Sequence, residues 1–192
     1  MVLAPNKALP GDKEEPKFVP GAATSYPSHQ TSENVTIGVK AYFDDADVRP
    51  VFGKKNPYNY GVMPVLVVLQ NDSGKTIRLQ SLQAVWVTPS RDRIDATPAK
   101  EVRYVTAPRR PNSLPGPPGT LPKVIGHKNP LDSGEIEVRA FAAQMLPPGQ
   151  SASGFFYFQT GYQHGASLYL SGLREAESGR ELLYFEIPMA EK

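Results

Sequence analysis

Val62-Met63-Pro64-Val65-Leu66-Val67-Val68-Leu69 is the stretch on which the fold turns. It is apolar almost without interruption and rich in valine, whose branched Cβ suits a pleated strand better than a helix. The run is too short for a typical helix, and it lacks the polar alternation of a half-buried strand. It therefore reads as a central strand with apolar neighbours on both faces. Pro64 has no backbone donor, which places it near the start of that strand or where its nitrogen goes unpaired.

Immediately downstream, Asn71-Asp72-Ser73-Gly74-Lys75 is a turn by its chemistry, because Asn, Asp and Gly tolerate left-handed backbone. Ile77 and Leu79 then share one face, while Leu82, Ala84 and Trp86 fall on the opposite parity. One extra residue near Ser81 would bring all five inward, so a β-bulge or bend is predicted there. Upstream, Val35, Ile37, Val39, Ala41 and Phe43 alternate with Thr36, Gly38, Lys40 and Tyr42, the period of a half-buried strand.

Further out, Thr97 to Val105 reads as a short helix, with Thr97 as cap and Pro98 in the first turn. Pro108 to Pro130 is a long loop rich in proline and glycine. Asp132 to Leu146 supports two periods. Asp132 and Glu135 have capping-box spacing, and Val138, Phe141, Ala142 and Met145 form a helical stripe, yet Ile136, Val138 and Ala140 alternate as a strand would. The helix is the preferred reading. After Pro147-Pro148-Gly149, Ala152 to Phe158 brings aromatic residues to both faces of a strand. A final hairpin joins Leu168–Leu173 to Leu182–Ile187 through Glu177-Ser178-Gly179, and Pro188 ends the last strand.

At least six strands with turns between them, and no helices alternating with them, predict an antiparallel sandwich. Residues 1–34 repeat proline among Gly, Ser, Lys and Glu with little apolar periodicity, which predicts a disordered N-terminal arm before a folded domain over 35–192.

The chain has 192 residues, enough for one domain with a core that needs no staples. It contains no cysteine, which rules out disulfides, thiolate metal sites and a cysteine nucleophile. Net charge is +2, from 21 basic and 19 acidic residues that are interspersed. A nucleic-acid binder concentrates positive charge to release phosphate counterions, so no nucleic-acid partner is expected. No apolar run reaches the roughly 20 residues that span a bilayer. The opening Met1-Val2-Leu3-Ala4-Pro5 is too short for a signal-peptide core, which leaves a cytoplasmic protein or one whose signal has been removed.

Two passages resemble the immunoglobulin-like domains of bacterial envelope and secreted proteins. The first is Val65-Leu66-Val67-Val68-Leu69-Gln70-Asn71-Asp72-Ser73-Gly74-Lys75-Thr76-Ile77, a buried strand that ends in an asparagine-containing turn and re-enters the sheet. The second is Leu146-Pro147-Pro148-Gly149-Gln150-Ser151-Ala152-Ser153-Gly154-Phe155-Phe156-Tyr157-Phe158, a proline-glycine turn leading into an aromatic strand. With no cysteine pair, the likeness is to cysteine-free sandwiches. It implies an immunoglobulin-like antiparallel β-sandwich of about seven strands, with one or two short helices in its connections. It also implies an extracytoplasmic setting and a binding or structural role, although fold does not fix function.

Motifs for catalysis are missing. Gly149-Gln150-Ser151-Ala152-Ser153 lacks the closing glycine of a nucleophile elbow and precedes a strand where that motif precedes a helix. His29, His127 and His164 fall in the arm and in loops. Paired zinc ligands are absent, and Asp44, Asp45 and Asp47 lack the glycine and glutamate of a calcium loop. No phosphate-cradling glycine loop occurs, so no cofactor is expected. Asn34-Val35-Thr36 and Asn71-Asp72-Ser73 are sequons, which mean nothing in a bacterial protein.

The sequence points instead to a non-enzymatic binding or assembly module of the bacterial envelope, acting through loops on a protein or glycan partner. The alternatives are a carbohydrate-binding accessory domain and a hydrolase with a site assembled from loops. Phe52, Tyr58 and Tyr60 beside Lys54 and Lys55 form the loop singled out for binding, and Arg109-Arg110 opens the long loop. Aromatic and arginine side chains carry much of the energy of interfaces, so Tyr58, Tyr60, Arg109 and Arg110 are the candidate binding residues. The lone tryptophan, Trp86, is expected in the core.

Overall fold

The computed structural model describes residues 18–105, 129–182 and 184–190. Among these residues the chain is all-β, with eleven strands in three antiparallel sheets and two α-helices. The strands are β1 (Ser28–Ser32), β2 (Val35–Ala41), β3 (Met63–Asn71), β4 (Ile77–Arg78), β5 (Gln83–Val87), β6 (Arg93–Asp95), β7 (Met145–Leu146), β8 (Ser151–Phe158), β9 (Ser167–Ser171), β10 (Arg174–Glu175) and β11 (Phe185–Pro188). The helices are α1 (Asp45–Phe52) and α2 (Gly134–Val138). One four-stranded sheet has the order β1-β2-β3-β8 and the other β11-β9-β5-β6; a small sheet, β10-β4-β7, sits beside them.

The uninterrupted apolar run is the centre of the first sheet, between β2 and β8. Its period of two divides it between two cores. Met63, Val65, Val67 and Leu69 face the second sheet, where they meet Trp86, Leu168, Leu170, Phe185 and Ile187. Leu66 and Val68 face the other way, into a layer made by Val48, Val51 and Phe52 of α1, Val102, Leu131 and Ile136 of α2. Each fully buried Val or Leu contributes about 1.5–3 kcal/mol, so β3 draws stabilisation from both of its faces. Pro64 is its second residue, opposite Tyr157, and its carbonyl accepts from the Tyr42 amide at 2.8 Å.

Several expectations need correcting. The region 1–34 is not an arm throughout: Ser28–Ser32 pairs with β2 as an edge strand, and Ala23–Ser25 forms a 3-10 turn whose Ala23 is fully buried. Its polar sequence hid it, because an edge strand needs only backbone pairing and one apolar anchor. Residues 1–17 lie outside the described residues. For the same reason β2 is buried on both faces, where half-burial was expected: a Cβ on Gly38 would stand 2.2 Å from the Ala23 carbonyl oxygen.

The helix expected over 97–105 is a 3-10 turn at Val102–Tyr104 only, and Thr97 instead bridges to Tyr157 of β8. The helix expected over 132–146 shrinks to α2. Its supposed stripe fails because Val138 is 83% exposed, and Ala140 lies against Phe155 as a bridge. Helix α1, unforeseen, has Asp45 and Asp47 in its first turn, where the helix dipole favours anions; Pro50 inside it obscured the pattern. The acidic trio is thus a helix start, with Asp47 paired to Lys40 at 2.9 Å.

The bend predicted near Ser81 is present, and it decides the topology. The Leu82 amide bonds the Leu79 carbonyl at 3.0 Å, and the chain passes from the small sheet to the second large one. From Arg78↔Arg174 to Gln83↔Ser171, five residues on one strand advance against three on the other. Gly172 makes the matching bend, with φ +84 and its Cα so near Ser81 that a Cβ would stand 1.9 Å from the Ser81 carbonyl oxygen. No helix among the described residues is long and apolar enough to cross a membrane.

Candidate functional site

The aromatic loop expected to bind is largely used up in packing. Phe52 is buried, with its ring 5.0 Å from Phe155. Tyr58 lies 5.9 Å from Phe43, and its hydroxyl accepts from the Tyr162 amide at 3.1 Å, tying the 3-10 turn Pro57–Tyr60 to the loop before β9. Tyr60 is 37% exposed. Arg109, Arg110 and His127 lie outside the described residues. His29 sits on β1 with Nδ1 2.7 Å from the Tyr26 carbonyl, while His164 is edge-on to Tyr162. Ser151 opens β8 opposite Gln70. No three His, Asp or Glu side chains gather as metal ligands among the described residues.

A different surface is better built. At the end of β6 the Ala96 amide still bonds the Ala84 carbonyl of β5 at 3.2 Å; one residue on, the Thr97 amide bonds Tyr157 of β8 at 2.7 Å. The chain thereby crosses from one large sheet to the other. A second crossing lies nearby. The Phe141 amide bonds the Phe155 carbonyl at 3.0 Å, the Phe155 amide bonds Arg139 at 2.9 Å, and the Leu79 amide then takes the Gln144 carbonyl at 2.8 Å. Gly154 permits this approach, because a Cβ there would stand 2.4 Å from the Phe141 Cα.

Between the two crossings the boundary between the two large sheets stays open as a cleft of about 460 Å³. That size falls in the range of ligand pockets. Leu82, Ala84, Phe141 and Phe156 provide apolar walls, the two phenyl rings stacking at 5.4 Å; Gln83, Asp95 and Thr97 provide polar groups. Among the described lining residues Asp95 is the single charged side chain. At the back, the Tyr157 hydroxyl donates to the Ile136 carbonyl at 2.7 Å. Burial, reinforced by Glu135 and opposed by Arg139, holds that phenol far above its ordinary range, so it remains a neutral donor.

The cleft runs on into the solvent face of the second sheet. Register places Asp95, Val85, Tyr169 and Glu186 in one row across β6, β5, β9 and β11. Leu168 and Leu170 are fully buried, so Tyr169 between them faces outward. Arg93 lies over its ring at 5.0 Å, and Tyr184 stacks on it at 5.1 Å. Tyr184 is 56% exposed. Sequence reasoning missed this surface, though the tyrosine between two inward leucines signalled an outward ring. The expected hairpin also set Glu186 opposite Tyr169; what sequence could not supply is Asp95, which joins their row only through the pairing of β6 and β9 with β5.

No protein-family model and no curated protein matches the chain. Among solved structures, it is similar to the X-ray structure of the Northeast Structural Genomics Consortium target SoR45, at 9% identity and a TM-score of 0.35, over 81% of this chain and 87% of that one.

Proposed function

We propose that this chain is a non-enzymatic binding module working outside the cytoplasm, an immunoglobulin-like sandwich elaborated by a small third sheet. The observation that carries the reading is the cleft between the two crossings, continuous with a polar and aromatic sheet face. An opening of this kind exposes apolar side chains to water and carries a few polar groups on a rigid frame, which is the composition of a binding site. The centre of binding thus moves from the expected loop to the β5–β6–β8 corner. The bacterial envelope setting follows the resemblance of the two passages around Asn71 and Gly149.

Gln83 is exposed on the cleft rim, so Gln83→Trp fills the opening without touching the core. A thermal-shift screen of oligosaccharides and short peptides should find ligands that raise the Tm of the natural protein and not that of Gln83→Trp. Equal shifts in both proteins, or none from any ligand, refutes the assignment.

A further inference from the structure

We propose that the ligand of this surface is a neutral, linear oligosaccharide of pyranoses, lying across the strands from the cleft to Tyr184. The inference rests on the binding-module reading and names its ligand class. Its first support is the Arg93–Tyr169–Tyr184 ladder, which ends in a half-exposed aromatic ring on the solvent face of the sheet. The C–H face of a pyranose is apolar and flat, and an aromatic face receives it with no polar group left unpaired. Stacking on Tyr169 fixes the orientation of Tyr184 before any ligand arrives, which lowers the entropy lost on binding.

The second support is the polar surround. Gln83, Asp95 and Glu186 are exposed and planar at their ends. Carboxylates accept only, and an amide both donates and accepts; sugar hydroxyls satisfy all of these. Asp95 and Glu186 stand three strand spacings apart, about 14 Å, which suits an extended chain better than a single small molecule.

Charge decides between chain chemistries. Among the described residues, two carboxylates stand with one guanidinium on this surface, and that guanidinium is engaged with Tyr169. An anionic polysaccharide or nucleic acid meets net repulsion there, whereas a neutral glycan does not. The glycan is favoured over an extended peptide because the projecting groups form an open sheet face rather than a row of separate apolar pockets.

The test is calorimetric titration of the full chain with cellohexaose, chitohexaose and an oligogalacturonate. The protein should bind at least one neutral hexasaccharide and not the anionic one. Tyr184→Ala should weaken binding about tenfold or more, whereas Tyr184→Phe should retain it, since stacking needs the ring and not the hydroxyl. Glu186→Gln and Asp95→Asn should each weaken it severalfold with the Tm unchanged. Absence of binding to both neutral sugars at millimolar concentration overturns the proposal, as does undiminished binding by a folded Tyr184→Ala. If only a peptide binds, and Gln83→Trp blocks it, the glycan inference falls while the binding module stands. If neither sugar nor peptide binds, both fall.

Discussion

Replacing Asn71 by Asp keeps the shape of one buried side chain while reversing half of its hydrogen bonding. Asn71 is fully buried at the end of β3. Its Nδ2 donates to the Lys75 carbonyl at 2.7 Å and the Leu146 carbonyl at 2.8 Å; its Oδ1 accepts from the Ser73 amide at 3.1 Å and the Ser73 hydroxyl at 2.6 Å. One side chain thus closes the 71–75 turn and ties it to β7. In Asn71→Asp the two donors become an oxygen facing two carbonyl oxygens. Losing two hydrogen bonds costs about 0.5–1.5 kcal/mol each, and setting a buried carboxylate oxygen against two carbonyl oxygens adds about 1–3 kcal/mol. The expected loss at pH 7 is about 2–6 kcal/mol. Burial and the facing carbonyls raise the pKa of the new carboxyl above its unfolded value. Its ionised form is therefore what destabilises the fold, and the deficit relative to the natural protein shrinks as pH falls through the raised pKa towards the unfolded one. Protonated, it can donate one hydrogen bond again. Urea denaturation followed by Trp86 fluorescence at pH 7 and pH 4.5 measures both effects. A loss under about 1 kcal/mol at pH 7, or a deficit that grows on acidification, refutes the reasoning.

Glu175, 8% exposed in its side chain, accepts from Lys75, Ser178 and Arg180, and these bonds lower its pKa to about 2. Its contribution is complete above the unfolded carboxyl pKa and is lost as pH falls through about 2, so Glu175→Gln should flatten the acid limb of the stability–pH curve. An unchanged limb in urea titrations contradicts this. Gly172→Ala combines a positive φ with the Ser81 contact and should destabilise more than Gly38→Ala, which only overpacks Ala23 at about 1–3 kcal/mol; chemical denaturation of the two variants ranks them. The Trp86 indole N–H is buried with no hydrogen-bond partner among the described residues. Trp86→Phe removes that unpaired donor and should cost under about 2 kcal/mol, against about 3–5 kcal/mol for Trp86→Ala, read by circular dichroism. Equal costs for both contradict the role assigned to the unpaired donor.

The local sequence decided what local chemistry can decide. Valines from Val65 to Val68 specify a strand covered on both faces, because branched side chains at a period of two leave it no polar face. Asn71 and Gly74 specify the turn after it, and the parity break between Leu79 and Leu82 requires a bend wherever both halves are to be buried. Trp86 belongs to the core for the same reason. Sequence could not say which strand the bend leads to, since that depends on Gly172 meeting Ser81 from the far end of the chain. Nor could it recognise β1, whose polar residues are held by pairing with β2, or reduce the 132–146 stripe to one helical turn, because Gly154 draws Ala140 and Phe141 onto β8 instead. The proposed binding surface is largely tertiary. Asp95 is far in the chain from the hairpin pair Tyr169 and Glu186, and only the pairing of β6 and β9 with β5 sets the three in one row, because hydrogen bonding between strands is blind to sequence separation.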